Sequence, residues 1–152
     1  ERNMRGGTEN VYGIVALAKA LEIAISGMDE HRNHVLALKA RMAEGLKVKV
    51  PGVAFNGLSA DLDNSLYTVL NVSLPPSPEN EMLLFNLDLQ HISASGGSAC
   101  SSGAATGSHV IRALQQDPER GTVRFSFSKY NTAEEVDYVV DTLARMFVGE
   151  KV

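Results

Sequence analysis

The sequence predicts an α+β domain, a small antiparallel or mixed sheet covered by helices. Three observations carry this. Apolar residues recur at three- and four-residue intervals over several stretches. Two short stretches, 65–74 and 122–128, are rich in β-branched and aromatic residues or alternate strictly. Strands and helices follow one another without a repeat, at a length of 152 residues that suits one domain.

Each element has a local reason. Arg5-Gly6-Gly7-Thr8 is a turn, after which Val11, Ile14, Val15, Ala18, Leu21 and Ile25 line one helical face. Ser26-Gly27 interrupts that helix, and Asp29 is expected to cap a second one carrying Val35, Leu38, Met42 and Leu46. Lys47 to Val50 alternates as a strand, and Pro51-Gly52 forces a turn. Ser65 to Leu74 reads as the next strand and stops at Pro75-Pro76. Ser77-Pro78-Glu79 starts a helix, with a capping hydroxyl, proline at the first position and an acid in the first turn. Met82, Leu83, Phe85 and Leu87 are expected on its buried side. His91 to Ala94 is expected to form a short strand. Ser108 is expected to cap a short helix through Val110, Ile111 and Leu114 that stops near Asp117-Pro118. Thr122 to Ser128 places Val123, Phe125 and Phe127 on one face and Arg124, Ser126 and Ser128 on the other. Thr132-Ala133-Glu134-Glu135 is a capping box, opening a helix with Val136, Val139, Val140, Leu143 and Phe147.

The bulk numbers exclude whole function classes. The chain is 44% hydrophobic and 21% charged, with a formal net charge of −4. Mild acidity without a lysine/arginine run speaks against a nucleic-acid partner. No apolar run approaches the ~18 residues that span a bilayer, so no membrane partner is expected. A single cysteine rules out an internal disulfide and suits a reducing, cytoplasmic setting. Glu1-Arg2-Asn3-Met4-Arg5 has no element pattern, and the chain reads as a piece of a longer protein, with 1–10 as an arm.

That single cysteine, Cys100, lies in Ser95-Gly96-Gly97-Ser98-Ala99-Cys100-Ser101-Ser102-Gly103. Buried structural cysteines sit among apolar residues; this one is surrounded by small, permissive residues, as if presented. A Gly/Ser/Ala stretch is commonly a plain connector, yet long loops inside compact domains tend to be functional. The four histidines, His31, His34, His91 and His109, lack the grouping of a zinc site, so no metal is expected and surface or cap roles are. Taken alone, Arg124 would be an ordinary exposed strand residue and Thr8 an ordinary turn residue.

Taken together, Ser-Gly-Gly-Ser-Ala-Cys100, Arg112 in Val-Ile-Arg-Ala-Leu, and Thr122-Val-Arg124-Phe-Ser126 resemble the C-terminal part of a pyridoxal-phosphate-dependent cysteine desulfurase of the NifS/IscS type, in the class V aminotransferase family. Arg5-Gly6-Gly7-Thr8 and Leu70-Asn71-Val72-Ser73 fit the same pattern, in the same order. The resemblance implies that 11–152 is the small C-terminal domain of a fold-type I pyridoxal-phosphate enzyme, with a mobile cysteine loop over 93–108. It implies that the whole enzyme, a homodimer, converts L-cysteine to L-alanine. Cys100 would attack the substrate sulfur and hold it as a persulfide for a sulfur-acceptor or iron–sulfur scaffold protein. Arg124 would bind the substrate carboxylate, and Thr8 would reach the cofactor phosphate of the partner subunit. The chemistry is consistent with these roles: a thiolate is the reactive form of cysteine, arginine's planar fork binds both carboxylate oxygens, and a phosphate suits the start of a helix.

One departure matters. Schiff-base chemistry needs a lysine, which the family places after a serine and a histidine. Lys19, Lys39, Lys47, Lys49, Lys129 and Lys151 all lack that context. The chain alone is therefore expected to bind no pyridoxal phosphate and to be inactive. Two other readings compete: a stand-alone sulfur-carrier or interaction module on the same fold, and an anion-binding thiol enzyme of the phosphatase or rhodanese kind. The second is disfavoured because no arginine occurs in the six residues after Cys100.

Overall fold

A computed structural model of the chain describes residues 6–96, 108–114 and 117–148. Helix α1 spans Val11–Ser26, with Asn10 at its N-cap accepting from the Gly13 amide at 3.0 Å. The expected apolar face is there, but it faces no core. None of the α1 residues is buried, and Leu17 is 71% exposed. Leu17 and Ile23 extend the apolar surface around the helix, which leaves the exposed Lys19–Glu22 pair as its main polar patch. Gly27 ends α1 by donating to the Ile23 carbonyl at 3.3 Å, and helix α2, Met28–Lys49, leaves at a bend of 60°. Asp29 is not the cap. Gly27 holds that position, and Asp29 and Glu30 lie in the first turn, where their charge meets the free N–H ends of the helix.

Val35, Leu38, Met42 and Leu46 are buried on α2 as their spacing predicts, joined by Ala43 and Lys39. The strand expected over Lys47–Val50 is instead the last turn of α2, closed by Val50 N donating to Leu46 O at 2.9 Å. Lys47 pairs with Glu44 at 2.7 Å and Lys49 reaches Asp141 at 2.5 Å. Two basic residues suit a helix C-terminus, and four residues of alternation are too few to outweigh that.

The sheet among the described residues has three antiparallel strands in the order β1 (Ala54–Phe55), β2 (Val69–Leu74), β3 (Gly121–Ser126). β1 has only two residues and was not foreseen. β2 begins four residues later than its composition suggests, because Ser65 turns back to hydrogen-bond the Asp61 carbonyl before pairing starts. In β3, Val123 and Phe125 point inward with Phe127 just beyond, while Arg124 and Ser126 are exposed.

Helix α5, Ala133–Val148, opens on the predicted capping box. Thr132 N donates to Glu135 Oε2 at 3.1 Å, and Glu135 N donates to Thr132 Oγ1 at 3.3 Å. Val136, Val140 and Leu143 join the core against α2 and the inner face of the sheet; Val139 and Phe147 pack at its margin. α2 and α5 approach closely at Gly45, where an added Cβ would lie 3.1 Å from Val140 Cγ1. Arg41 clamps Asp137 across this seam through bonds of 2.6 and 2.7 Å.

The stretch from Ser77 is less regular than expected. Ser77 Oγ accepts from Glu79 N at 3.2 Å and caps a single 3-10 turn, Pro78–Asn80; helix α3, Leu83–Leu89, follows separately. Only Leu83 and Leu87 of α3 are buried, whereas Met82 and Phe85 are more than half exposed. A seven-residue helix buries one i,i+4 stripe and no more. His91 then adopts a left-handed conformation (φ 58°) that ends the helix. The strand expected at His91–Ala94 reduces to one isolated bridge at Ser95. Helix α4, His109–Ala113, follows Ser108, whose hydroxyl makes no capping bond. No single described helix is long and apolar enough to cross a membrane.

Candidate functional site

Strand β3 fixes Arg124 on the solvent side of the sheet, directly opposite Asn71 of β2. Its alternation with buried Val123 and Phe125 makes this orientation obligatory. On its free edge, β3 meets Ser95. Arg124 N donates to Ser95 O at 2.6 Å, and Ser95 N donates back to Arg124 O at 3.1 Å. The side chains are joined as well, Arg124 Nε donating to Ser95 Oγ at 3.0 Å. Among the described residues no ion pair involves Arg124, so the terminal guanidinium nitrogens have no carboxylate partner there.

Ser95 and Gly96 begin the segment that carries Cys100. A Cβ on Gly96 would lie 3.2 Å from both Leu84 Cδ1 and the Thr122 carbonyl, so this close passage beside β3 needs glycine. Cys100 itself lies outside the described residues, as does most of the proposed 93–108 loop. Thr8 is described and exposed, three residues ahead of α1, and Gly7 before it takes φ 98°. The structure thus joins Arg124 to the root of the cysteine segment, and Thr8 lies just ahead of α1.

A cavity of about 310 Å³ opens in front of Arg124, lined also by Ser59, Ser65, Leu66, Val69 and Ser126. The 57–66 turn supplies Ser59, Ser65 and Leu66 to this lining. Asn56 Nδ2 donates to Asn71 Oδ1 at 2.8 Å and Ser59 Oγ donates to Asn71 O at 2.9 Å, tying that turn to the strand beside Arg124. Neither Asn71 nor this turn stood out as functional from residue types. The only signal was Leu70-Asn71-Val72-Ser73 itself, which carries the resemblance but has no chemistry of its own.

Each described lysine makes a local contact. Lys19, Lys47 and Lys49 are held in ion pairs. Lys129 stands over the Tyr130 ring, and Lys39 is buried in hydrogen bonds. Two further cavities, of about 520 and 480 Å³, lie against α5, and no lysine lines either of them or the Arg124 cavity.

The described fold is a three-stranded α+β domain with an exposed arginine, Arg124, joined to the residues that lead into the cysteine segment. The chain belongs to the class V aminotransferase family, whose profile matches residues 1–139. It is 36% identical over 148 residues to the cysteine desulfurase IscS of Clostridium botulinum, covering 96% of this chain and 37% of that protein. It is 39% identical over 142 residues to the cysteine desulfurase NifS of Azotobacter vinelandii, covering 92% and 34%. Among solved structures it is similar to a NifS-like protein with a TM-score of 0.71 at 32% identity, covering 97% of this chain and 36% of that one. The chain therefore spans little more than a third of the length of these relatives.

Proposed function

We propose that this chain is the small C-terminal domain of a pyridoxal-phosphate-dependent cysteine desulfurase, with residues 1–10 as the arm leading to it. In the whole protein, L-cysteine gives up its sulfur to Cys100 and leaves as L-alanine. The substrate Cβ–S bond breaks and an S–S bond forms to Cys100 Sγ. One thiol hydrogen stays on the new persulfide and the other ends on the alanine methyl group. Pyridoxal phosphate, held elsewhere in the whole protein, supplies the electron sink for that cleavage. The persulfide then serves a sulfur-acceptor or iron–sulfur scaffold protein in the cytoplasm.

The observation that supports this reading best is the state of Arg124. One nitrogen anchors to Ser95, and the rest of its fork faces a cavity without a competing carboxylate among the described residues. Cys100 follows Ser95 by five residues, so covalent geometry keeps it within about 18 Å of that anchor. Thr8 is assigned to the cofactor phosphate of the partner subunit in a homodimer. The isolated chain is expected to be inactive, since none of its lysines follows a serine and a histidine as the family's Schiff-base lysine does.

The test joins this chain to a cofactor-bearing segment of the length its relatives have and measures alanine and sulfide from L-cysteine. Cys100→Ser should abolish persulfide and sulfide while the yellow chromophore persists. Sulfide release at the parent rate would remove Cys100 from its role.

A further inference from the structure

Lys39 is a charged side chain with no exposed surface, set among the apolar residues of α2. Burying an ammonium is costly unless it is well bonded, so its partners show what the chain maintains it for. Lys39 Nζ donates to Ser65 Oγ at 2.6 Å and to the Leu66 carbonyl at 3.0 Å. Burial lowers its pKa from the ordinary lysine value, and the negative charge of Asp61 opposes that shift. Asp61 in turn folds the turn on itself, accepting from the Asp63 and Asn64 amides at 2.9 Å each. Ser65, held by Lys39, also donates to the Asp61 carbonyl.

Every one of these bonds ends on the 57–66 turn, and that turn lines the cavity in front of Arg124. Ser65 and Leu66, the two residues Lys39 grips, both line the 310 Å³ cavity. None of the core contacts of α2 requires a cation at this position, since its neighbours Leu38, Met42 and Leu46 are purely apolar.

We propose that Lys39 is a positioning residue for substrate binding: from behind, it pins Ser65 and Leu66 so that the cavity in front of Arg124 keeps the width of a small amino-acid carboxylate end. It touches no substrate and acts through the turn. This rests on the reading of Arg124 as the carboxylate ligand, and it deepens that reading by naming what shapes the cavity lining.

The experiment measures L-cysteine desulfuration in the joined, cofactor-loaded protein for Lys39→Met, Lys39→Arg, Ser65→Ala and Arg124→Lys. Releasing the wall should raise KM for L-cysteine about tenfold in Lys39→Met with kcat within about twofold, the pattern of lost binding rather than lost chemistry. Lys39→Arg should recover most of that loss. Ser65→Ala, which removes one acceptor of Lys39 together with Ser65's own bond to the Asp61 carbonyl, should raise KM about threefold, and an unchanged KM there counts against the role if Lys39→Met does not fold. KM unchanged in Lys39→Met or, failing that variant, in Ser65→Ala, while Arg124→Lys raises it, overturns the role of Lys39 and leaves the Arg124 reading standing. KM unchanged in all four overturns both. A fall in kcat with KM unchanged in Lys39→Met also overturns it.

Discussion

At the scale of single residues, the role proposed for Arg124 rests on where the strand puts an ordinary side chain. The strand turns it outward, Ser95 takes its Nε, and the remaining fork keeps a planar, two-pronged geometry that lysine lacks. Arg124→Lys in the joined protein should raise KM for L-cysteine by about tenfold or more, as a bidentate contact becomes a point charge; steady-state kinetics with L-cysteine checks this. The outward direction of Arg124 was readable from Thr122–Ser128, because strict alternation admits one orientation. The cavity wall was not. Its residues are serines, leucine and valine, whose chemistry is bland, and only a buried lysine 26 positions away from Ser65 reveals their use. Long-range hydrogen bonds of that kind leave no periodic trace.

At the scale of elements, the sequence was most legible where local chemistry and burial agree. α5 is the best case, because its capping box, apolar stripe and acidic first turn all specify one helix in one place. Removing the cap hydroxyl with Thr132→Ala should cost about 1 kcal/mol in a chemical denaturation measurement. Leu143→Ala, at a position with no exposure, should cost about 2–5 kcal/mol. Three of the expectations that failed share a cause. Lys47–Val50, His91–Ala94 and Met82/Phe85 each rest on three or four residues, too short a window to weigh against a helix already running or an edge already used. The seam between α2 and α5 also carries a pH signature. Hydrogen bonding to Arg41 holds the Asp137 carboxyl below its ordinary value, and hydrogen bonds from Asn131 and Thr132 do the same for Glu135. A carboxyl with a lowered folded pKa contributes stability above its unfolded value and loses it as pH falls through the folded one. Stability should therefore decline on acidification from about pH 4.5 downward. Arg41→Gln should flatten the part of that decline due to Asp137, in denaturation midpoints compared between pH 6 and pH 3.

At the scale of the whole molecule, the described chain divides between a body with a closed core and a helix with none. α2, α5, α3, the sheet and the residues just past their ends (Val50, Ile92, Phe127) account for the buried apolar residues, while α1 contributes none. An apolar helix left bare is an association surface, and this chain matches only 37% of the IscS relative's length. The isolated chain is expected to elute from size exclusion as more than a monomer, and the double change Leu17→Glu, Leu21→Glu should restore monomeric elution. α1 also stands outside the cooperative unit: sixteen residues are marginal as a free helix in water, and nothing in the core depends on them. Warming a monomeric chain should therefore erode its ellipticity in two unequal instalments. The first would be gradual and silent in calorimetry, as the residues before Gly27 unwind; the second would be sharp and carry nearly all the heat.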